Sequence, residues 1–279
     1  MILIAGGTGR LGSALTARLT GQGLPVRILT RDPARAAHLT GHGAETVTGD
    51  VRDPASLAVA TRGTDTVVSA VHGFAGPGRG SPATVDRDGN INLVNAAREA
   101  GAAVVLISVA GAAADSPLEL SRMKYAAEQF LQASGAAWTI VRATAFLELW
   151  IEILAKTAAR SGRPVVFGHG RNPVNFVSVT DVAALAENAI TDPAARGRVL
   201  EIGGPADLTF NQLAAAVQAS AGRTSPPRNV PPAVLRLMAG TIGRLSPEFG
   251  RKARAALIMD SVDFTHRATS IRQDYPGLP

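Results

Sequence analysis

Four glycines stand in the run Gly6-Gly7-Thr8-Gly9-Arg10-Leu11-Gly12, directly after the apolar stretch Ile2 to Ala5 and ahead of a helix-forming one. Their spacing is G-x-x-G-x-x-G. Residues without a Cβ belong where a chain turns sharply from strand to helix, lets its backbone approach a phosphate and packs that helix tightly on the strand. The helix start then offers N–H groups and the positive end of its dipole to an anion. In this strand–turn–helix setting the run reads as a cradle for the pyrophosphate of a dinucleotide, with Gly6, Thr8, Gly9, Arg10, Leu11 and Gly12 as its contacts. The next strand ends Leu29-Thr30-Arg31-Asp32. An acid at that place holds a ribose 2′-hydroxyl, whereas an arginine accommodates a 2′-phosphate. Arg31 comes first and Arg10 sits in the glycine turn, so NADP(H) is favoured; Asp32 either caps the next helix or itself binds a ribose. Asp50, followed by Val51, comes after the third strand, where a short acid accepts from an adenine amino group or merely caps a helix.

A second set of groups gathers at the ends of the later strands. Ala70 ends the fourth strand and His72 follows it, Ser108 ends the fifth, and Lys124 lies on the helix after that. Ser108 is either a substrate-orienting hydroxyl or a satisfied loop residue, and a lone histidine such as His72 is more often structural than catalytic. Lys124 either contacts the cofactor or pairs with Glu128 one turn away on a solvated face. Phe146, Trp150 and Phe176 are candidate substrate-lining aromatics, with core packing as the alternative. The five histidines are dispersed and there is no cysteine, so no metal site, disulfide or thiolate nucleophile is expected.

These residues need a scaffold, and the patterning supplies one. Strand-like runs at Ile2 to Ala5, Val26 to Thr30, Glu45 to Thr48, Thr66 to Ala70, Val104 to Ser108 and Trp138 to Val141 alternate with helical stretches. The longer helices are expected from Leu11 to about Thr20, Thr84 to Ala100 and Leu118 to Ala133, and a loop rich in glycine and proline from His72 to Pro82. Alternation of this kind predicts an α/β fold, a Rossmann-type doubly wound parallel sheet covered on both faces. After Arg142 the rhythm loosens: a helix from Phe146 to Ala159, a strand from Val165 to Phe167, a helix from Asp181 to Ile190 and a strand from Val199 to Ile202. Thr209 and Gln212 are spaced as a capping box for a helix through Ala221. Arg223 to Pro232 reads as a linker or turn, two helical stretches follow, and the tail runs from Tyr275 to Pro279. The whole chain, 1–279, is expected to be one NAD(P)-binding domain with a small C-terminal α/β lobe from about 143.

Composition narrows the classes. A hydrophobic fraction of 46% and a charged fraction of 18% over 279 residues fit a globular protein with a sizeable core. No apolar run reaches the roughly 18 residues of a membrane span. The first strand begins at Met1 or Ile2, which leaves no room for a leader, so a cytoplasmic location is expected. The formal charge of +6 comes mostly from arginine scattered along the chain, the only lysines being Lys124, Lys156 and Lys252. The densest cluster, Arg251, Lys252 and Arg254 with Arg244 upstream, reads as a solvated helix face, and neither nucleic acid nor membrane is expected as a partner. A small-molecule substrate is; the oligomeric state is left open.

Taken together, Gly6 to Gly12, Gly49-Asp50, Asn95-Ala96-Ala97 with Gly101, Ser108 and Lys124 to Arg142 resemble the short-chain dehydrogenase/reductase superfamily, in its atypical NmrA-like branch. Further on, Asn175 to Ala183 and Gly203-Gly204-Pro205 resemble elements of that family's second lobe. The resemblance implies a cofactor along the carboxyl edge of the sheet and a C-terminal lobe closing a substrate cleft. It also exposes a departure. Standard members of the superfamily carry Tyr-x-x-x-Lys, the tyrosine donating a proton and the lysine binding ribose. Here Lys124 stands at the lysine position, but Leu120 occupies that of the tyrosine, and Tyr125 leaves the helix about 100° away from its neighbour. The expected function is an NADPH-dependent reductase of an apolar carbonyl, enone or quinone; the alternatives are an NAD(P)-binding redox sensor and, less favoured, a sugar-nucleotide epimerase or dehydratase.

Overall fold

The structure, a computed structural model, describes residues 1–74, 80–266, 271–275 and 278. Part of the glycine- and proline-rich loop, most of the C-terminal tail and the side chain of Arg244 lie outside the described residues. The first half of the chain forms β1 (Ile2–Ala5), α1 (Arg10–Gly21), β2 (Val26–Thr30), α2 (Ala37–Thr40), β3 (Glu45–Thr48), α3 (Pro54–Ala60), β4 (Thr66–Ser69), α4 (Asp88–Glu99), β5 (Ala103–Val109), α5 (Glu119–Ala133) and β6 (Trp138–Ala143). The second half adds β7 (Ala145–Phe146), α6 (Leu147–Ser161), β8 (Val165–Phe167), β9 (Pro173–Val177), α7 (Val179–Thr191), β10 (Val199–Ile202) and β11 (Asp207–Thr209). There follow α8 (Phe210–Ser220), β12 (Arg228–Val230), α9 (Pro232–Gly240), α10 (Ile242–Leu245), α11 (Pro247–Met259) and α12 (Ile271–Asp274).

Seven parallel strands make the main sheet in the order β10-β6-β5-β4-β1-β2-β3. All four residues of β1 are buried, as a central strand covered on both faces requires. The edge strand β3 is mostly polar and exposed, which discourages further pairing. The order reverses between β1 and β4, so the connections diverge there and leave a crevice at the carboxyl ends of the strands. Leu3, Val67, Leu93, Val104, Leu106 and Leu131 are among the buried side chains that fix α4 and α5 to the sheet.

The chain divides into two compact units. The first holds residues 1–143, 179–202 and the described C-terminal residues; the second holds 144–178 and 203–268. The chain does leave the first unit near residue 143, where the C-terminal lobe was expected to begin, but it returns to contribute α7 and β10. β10 pairs with β6 from Val199↔Ile140 to Ile202↔Ala143, and α7 packs on α1 with Arg18 Nε 2.6 Å from Glu187 Oε2. Within the second unit, Leu154, Val166, Val174, Phe176, Phe210 and Leu213 form a separate core. Asn175 organises one corner of it: its Oδ1 accepts from Gly204 N at 2.8 Å and Thr144 Oγ1 at 2.9 Å, while its Nδ2 donates to Asp207 Oδ1 at 2.9 Å.

Two expectations change in detail. The helix expected from Thr84 begins with a π-helical turn, Pro82–Arg87, before α4 proper. The proline-rich stretch 223–232 is more than a linker, since β12 lies inside it and pairs with β8. The capping box at Thr209 and Gln212 is present, each side chain bonding the other's backbone. No helix among the described residues is long and apolar enough to cross a membrane.

Candidate functional site

The glycine turn sits between β1 and α1, beside the reversal point of the sheet. Gly6 has φ +86, and a Cβ there would lie 2.6 Å from Ala70 O, so β1 and the residue after β4 touch backbone to backbone. A side chain at Gly7 would meet Ile28 Cγ2 at 2.5 Å, and one at Gly12 would reach Gly6 O and lie 2.6 Å from Gly7 Cα. Gly9 differs: its Cβ would meet only Gly6 O, at 3.2 Å, and the residue is exposed. Gly6, Gly7 and Gly12 are therefore demanded by packing, whereas Gly9 is small towards the outside. The first turn of α1 has no side-chain cap and no acidic residue of its own, so its N–H groups and positive dipole end suit an anion. That geometry fits a dinucleotide pyrophosphate.

At the end of β2, Asp32 is already engaged. Its Oδ1 accepts from Ala34 N at 3.0 Å and caps the 3₁₀ turn Pro33–Ala36, while its own N–H donates to Thr30 Oγ1. Arg31 is exposed; its side chain makes no hydrogen bond or ion pair among the described residues, and its charge acts on the Asp50 carboxyl. After β3, both carboxylate oxygens of Asp50 face Arg52, with Oδ1–Nε at 3.0 Å and Oδ2–Nη2 at 2.5 Å. The Arg52 hydrogen bond holds the Asp50 carboxyl below its ordinary pKa, with burial opposing. Asp50 thus enters any adenine contact as an ion pair rather than as a free acceptor. Together with Asp53, Thr84, Asp88 and Asn92, this pair lines a recess of about 490 Å³. Val51 is buried and its carbonyl accepts from Asn92 Nδ2 at 3.0 Å, which ties α4 to the end of β3.

The ends of β4 and β5 hold a buried polar network. Lys124 is only 3% exposed; its Nζ donates to Val71 O at 2.9 Å and lies 3.2 Å from Asp86 Oδ1. Asp86 Oδ2 accepts from Gly73 N at 2.8 Å, and its carbonyl accepts from Asn90 Nδ2 at 2.7 Å. Asn90 Oδ1 in turn accepts from Ser69 Oγ at 2.5 Å. The pairing of Lys124 with Glu128 is overturned: Glu128 is fully buried and accepts from Arg142 Nε and Nη2 at 3.1 and 2.6 Å. His72 lies on the exposed rim of the same edge, its Nδ1 accepting from Phe74 N at 3.3 Å. Desolvation by the protein around it pushes the imidazole below its usual pKa, the Asp86 charge opposing and the Lys124 charge reinforcing. Ser108 Oγ is buried without a hydrogen-bond partner. An orphaned hydroxyl costs about 1–3 kcal/mol unless something supplies the missing bond, so Ser108, like Asp86 Oδ1, is an unfilled valence at this edge.

The structure thus gathers Gly6 to Gly12, Arg31, Asp50, Val51, Ala70, His72, Ser108 and Lys124 into one unit at the carboxyl edge of one sheet. The aromatic candidates belong to the other unit. Phe176 is 4% exposed and meets Phe210 edge to face at 5.6 Å; Trp150 meets the same ring at 4.7 Å. Phe176 is a core residue there, and Trp150, partly buried, packs against that core. Phe146 is half-buried in β7. Sequence reasoning missed Asp86 and Asn90. Their signal is a polar pair four residues apart on a helix, but Arg87, Asp88 and Asn92 crowd the same stretch, and only the π turn decides which groups face inward. No group of metal-ligating side chains occurs among the described residues.

The profile of a family described as NAD(P)H-binding matches residues 6–193. An NAD(P)H azoreductase of Xenophilus azovorans is 33% identical over 225 residues, which is 80% of this chain and 74% of the relative. Among solved structures, an NADPH-dependent quinone oxidoreductase from Escherichia coli, complexed with NADPH, superposes with a TM-score of 0.78 at 24% identity, covering 98% of this chain and 94% of the other. A triphenylmethane reductase from Citrobacter sp., complexed with NADP(H), gives a TM-score of 0.79 at 21% identity, covering 100% and 96%. The two structures establish the fold.

Proposed function

Because this chain belongs to the NAD(P)H-binding family, we propose that it is an NADPH-dependent reductase that passes hydride to an apolar quinone, enone or carbonyl compound. The observation that carries this reading is the glycine turn: three glycines are filled by the protein itself, and the fourth, Gly9, leaves an opening before an uncapped helix end. The preference for the 2′-phosphorylated cofactor is supported by the same stretch of chain. Asp32 is consumed as a cap, so Arg31 is the residue at the end of β2 that is available to a 2′-phosphate.

Bound NADPH would supply the hydride. The chain's own residues then orient and bind. The Lys124 ammonium donates one N–H to Val71 O and lies 3.2 Å from Asp86 Oδ1 as an ion pair without a hydrogen bond, so a remaining N–H would hold the nicotinamide ribose. Ser108 would donate its unused O–H to an oxygen of the acceptor. Leu120 leaves the helix without the usual phenolic acid, which favours acceptors whose developing charge is spread by conjugation and which can take a proton from water. A positioned general acid contributes about 10²–10⁴-fold, so simple ketones should be the poorest substrates. The similar reductases named above act on azo, quinone and triphenylmethane compounds, which agrees with conjugated acceptors.

The test is NADPH oxidation against matched quinones, enones and ketones. Turnover of conjugated acceptors well above that of ketones is expected. Tight NADPH binding with no acceptor reduced would select a second reading, a non-catalytic redox sensor, for which the specific observation is Leu120 in place of the proton donor.

A further inference from the structure

The basic residues are dispersed along the chain, but the net charge is not. Residues 223–259 hold seven of the 28 lysines and arginines and one of the 22 acidic residues. This segment therefore carries the entire formal excess of +6, and the other 242 residues hold 21 of each sign. In the second unit the segment forms β12 and the helices α9, α10 and α11. Arg223, Arg228, Arg236, Lys252 and Arg254 are exposed. Lys252 pairs with Glu248 at 2.5 Å; the other four side chains have no partner among the described residues.

The same segment exposes aliphatic side chains. α9 buries Leu235 and turns Ala233, Val234 and Leu237 outward, with Val234 42% and Leu237 66% exposed. Ala233, Leu237 and Gly240 line up at helical spacing, so the outward line of α9 is apolar. Ile242, the first residue of α10, is 47% exposed. α10 and α11 meet at a glycine pair, where a Cβ on Gly243 would lie 2.9 Å from Gly250 Cα. The aliphatic helices and the basic one are thus packed as one body. The only aromatic residue of the segment, Phe249, is half-buried.

We propose that α9–α11 form a docking surface for an anionic lipid bilayer. Cations without protein partners meet lipid headgroups, and the exposed aliphatics of α9 and α10 enter the headgroup–acyl boundary. Nucleic acid would match the charge and meet one exposed ring, Phe167 beside β12, but would leave Val234, Leu237 and Ile242 in water. A second copy of the chain would bring like charges together.

The experiment is co-sedimentation of the full chain with vesicles of phosphatidylcholine alone and of equimolar phosphatidylcholine and phosphatidylserine. Binding to the mixed vesicles only is expected, with release as salt shortens the screening length to about 3 Å near 1 M. Arg236→Gln with Arg254→Gln should lower partitioning roughly twenty-fivefold, at about fivefold per charge. Leu237→Asp should lower it as well, with circular dichroism and NADPH affinity unchanged. The proposal is overturned if neither vesicle binds, or if both bind equally and the arginine variant changes nothing. It is overturned too if a DNA duplex is retained while vesicles are not, or if sedimentation velocity shows a dimer that Leu237→Asp dissolves without any vesicle affinity.

Discussion

At Gly12 an added side chain would run into the backbone of Gly6 and Gly7; at Gly9, which is exposed, it would meet only the Gly6 carbonyl oxygen, at 3.2 Å. The two positions therefore separate what the turn does for folding from what it does for a ligand. Gly12→Val should lower the melting temperature sharply or prevent folding. Gly9→Val should leave the melt within a few degrees of wild type and abolish NADPH binding, read by fluorescence titration; retained affinity would place the dinucleotide elsewhere. Arg31→Ala should weaken NADPH but not NADH. His72 adds a pH signature. Its pKa is lowered in the folded chain, so between that value and the ordinary one of about 6.5 the unfolded state binds more protons. Stability should fall as pH drops through that window, and His72→Gln should remove this component of the pH–melting profile. Most of these residues were legible in the sequence because glycine spacing and strand ends are local signals. Asp86 and Asn90 were not, since what selects them is a helix phase set by the π turn, together with partners on β4 and α5.

At the scale of elements, the π turn ahead of α4 matters because Asp86 connects two segments that differ in kind, the loop after β4 through Gly73 and the helix α5 through Lys124. A wider turn at a site edge is a recurring device for re-aiming side chains. It makes the meaning of a single Lys124 variant ambiguous, because Lys124→Met leaves a fully buried carboxylate without its cation. Breaking a buried pair in that way costs about 3–5 kcal/mol, whereas removing both charges is close to neutral. The double variant Lys124→Met with Asp86→Asn resolves the ambiguity. Its stability should recover most of the loss seen with Lys124→Met alone, measured by urea denaturation. If Lys124 also holds the ribose, NADPH affinity stays about ten- to a hundredfold below wild type in both variants, as expected for a charge-assisted bond of about 1.5–3 kcal/mol. Recovery of affinity in the double variant would make the lysine purely a strut between α4, α5 and the loop.

For the whole molecule, the sequence conveyed the sheet but not the way the chain shares itself between two units. Alternating strands and helices are visible along the chain, and six of the seven sheet strands fall in the first half, where each helix follows its strand. Nothing local marks α7 and β10 as a return to the first unit after a detour through 144–178, because an apolar helix and a short strand would suit either core. That return has an energetic consequence. Leu185, on α7, and Leu154, on α6, are both buried leucines, at 0% and 2% exposure, so replacing either by alanine should cost about 2–5 kcal/mol. The functional effects should differ. α7 packs on α1, the helix whose first turn would face the pyrophosphate, so a cavity at Leu185 should loosen the support of the glycine turn. Leu154 belongs to the core of Val166, Phe176 and Phe210, none of which contributes to that turn. Leu185→Ala should therefore weaken NADPH binding several-fold under conditions where the variant is still folded, and Leu154→Ala, matched for stability loss, should not. The measurement is NADPH titration of both variants at a temperature well below their melting points. Equal weakening would mean that the cofactor's support extends beyond the first unit, and no weakening in either would mean that β1 and the turn hold their geometry without α7.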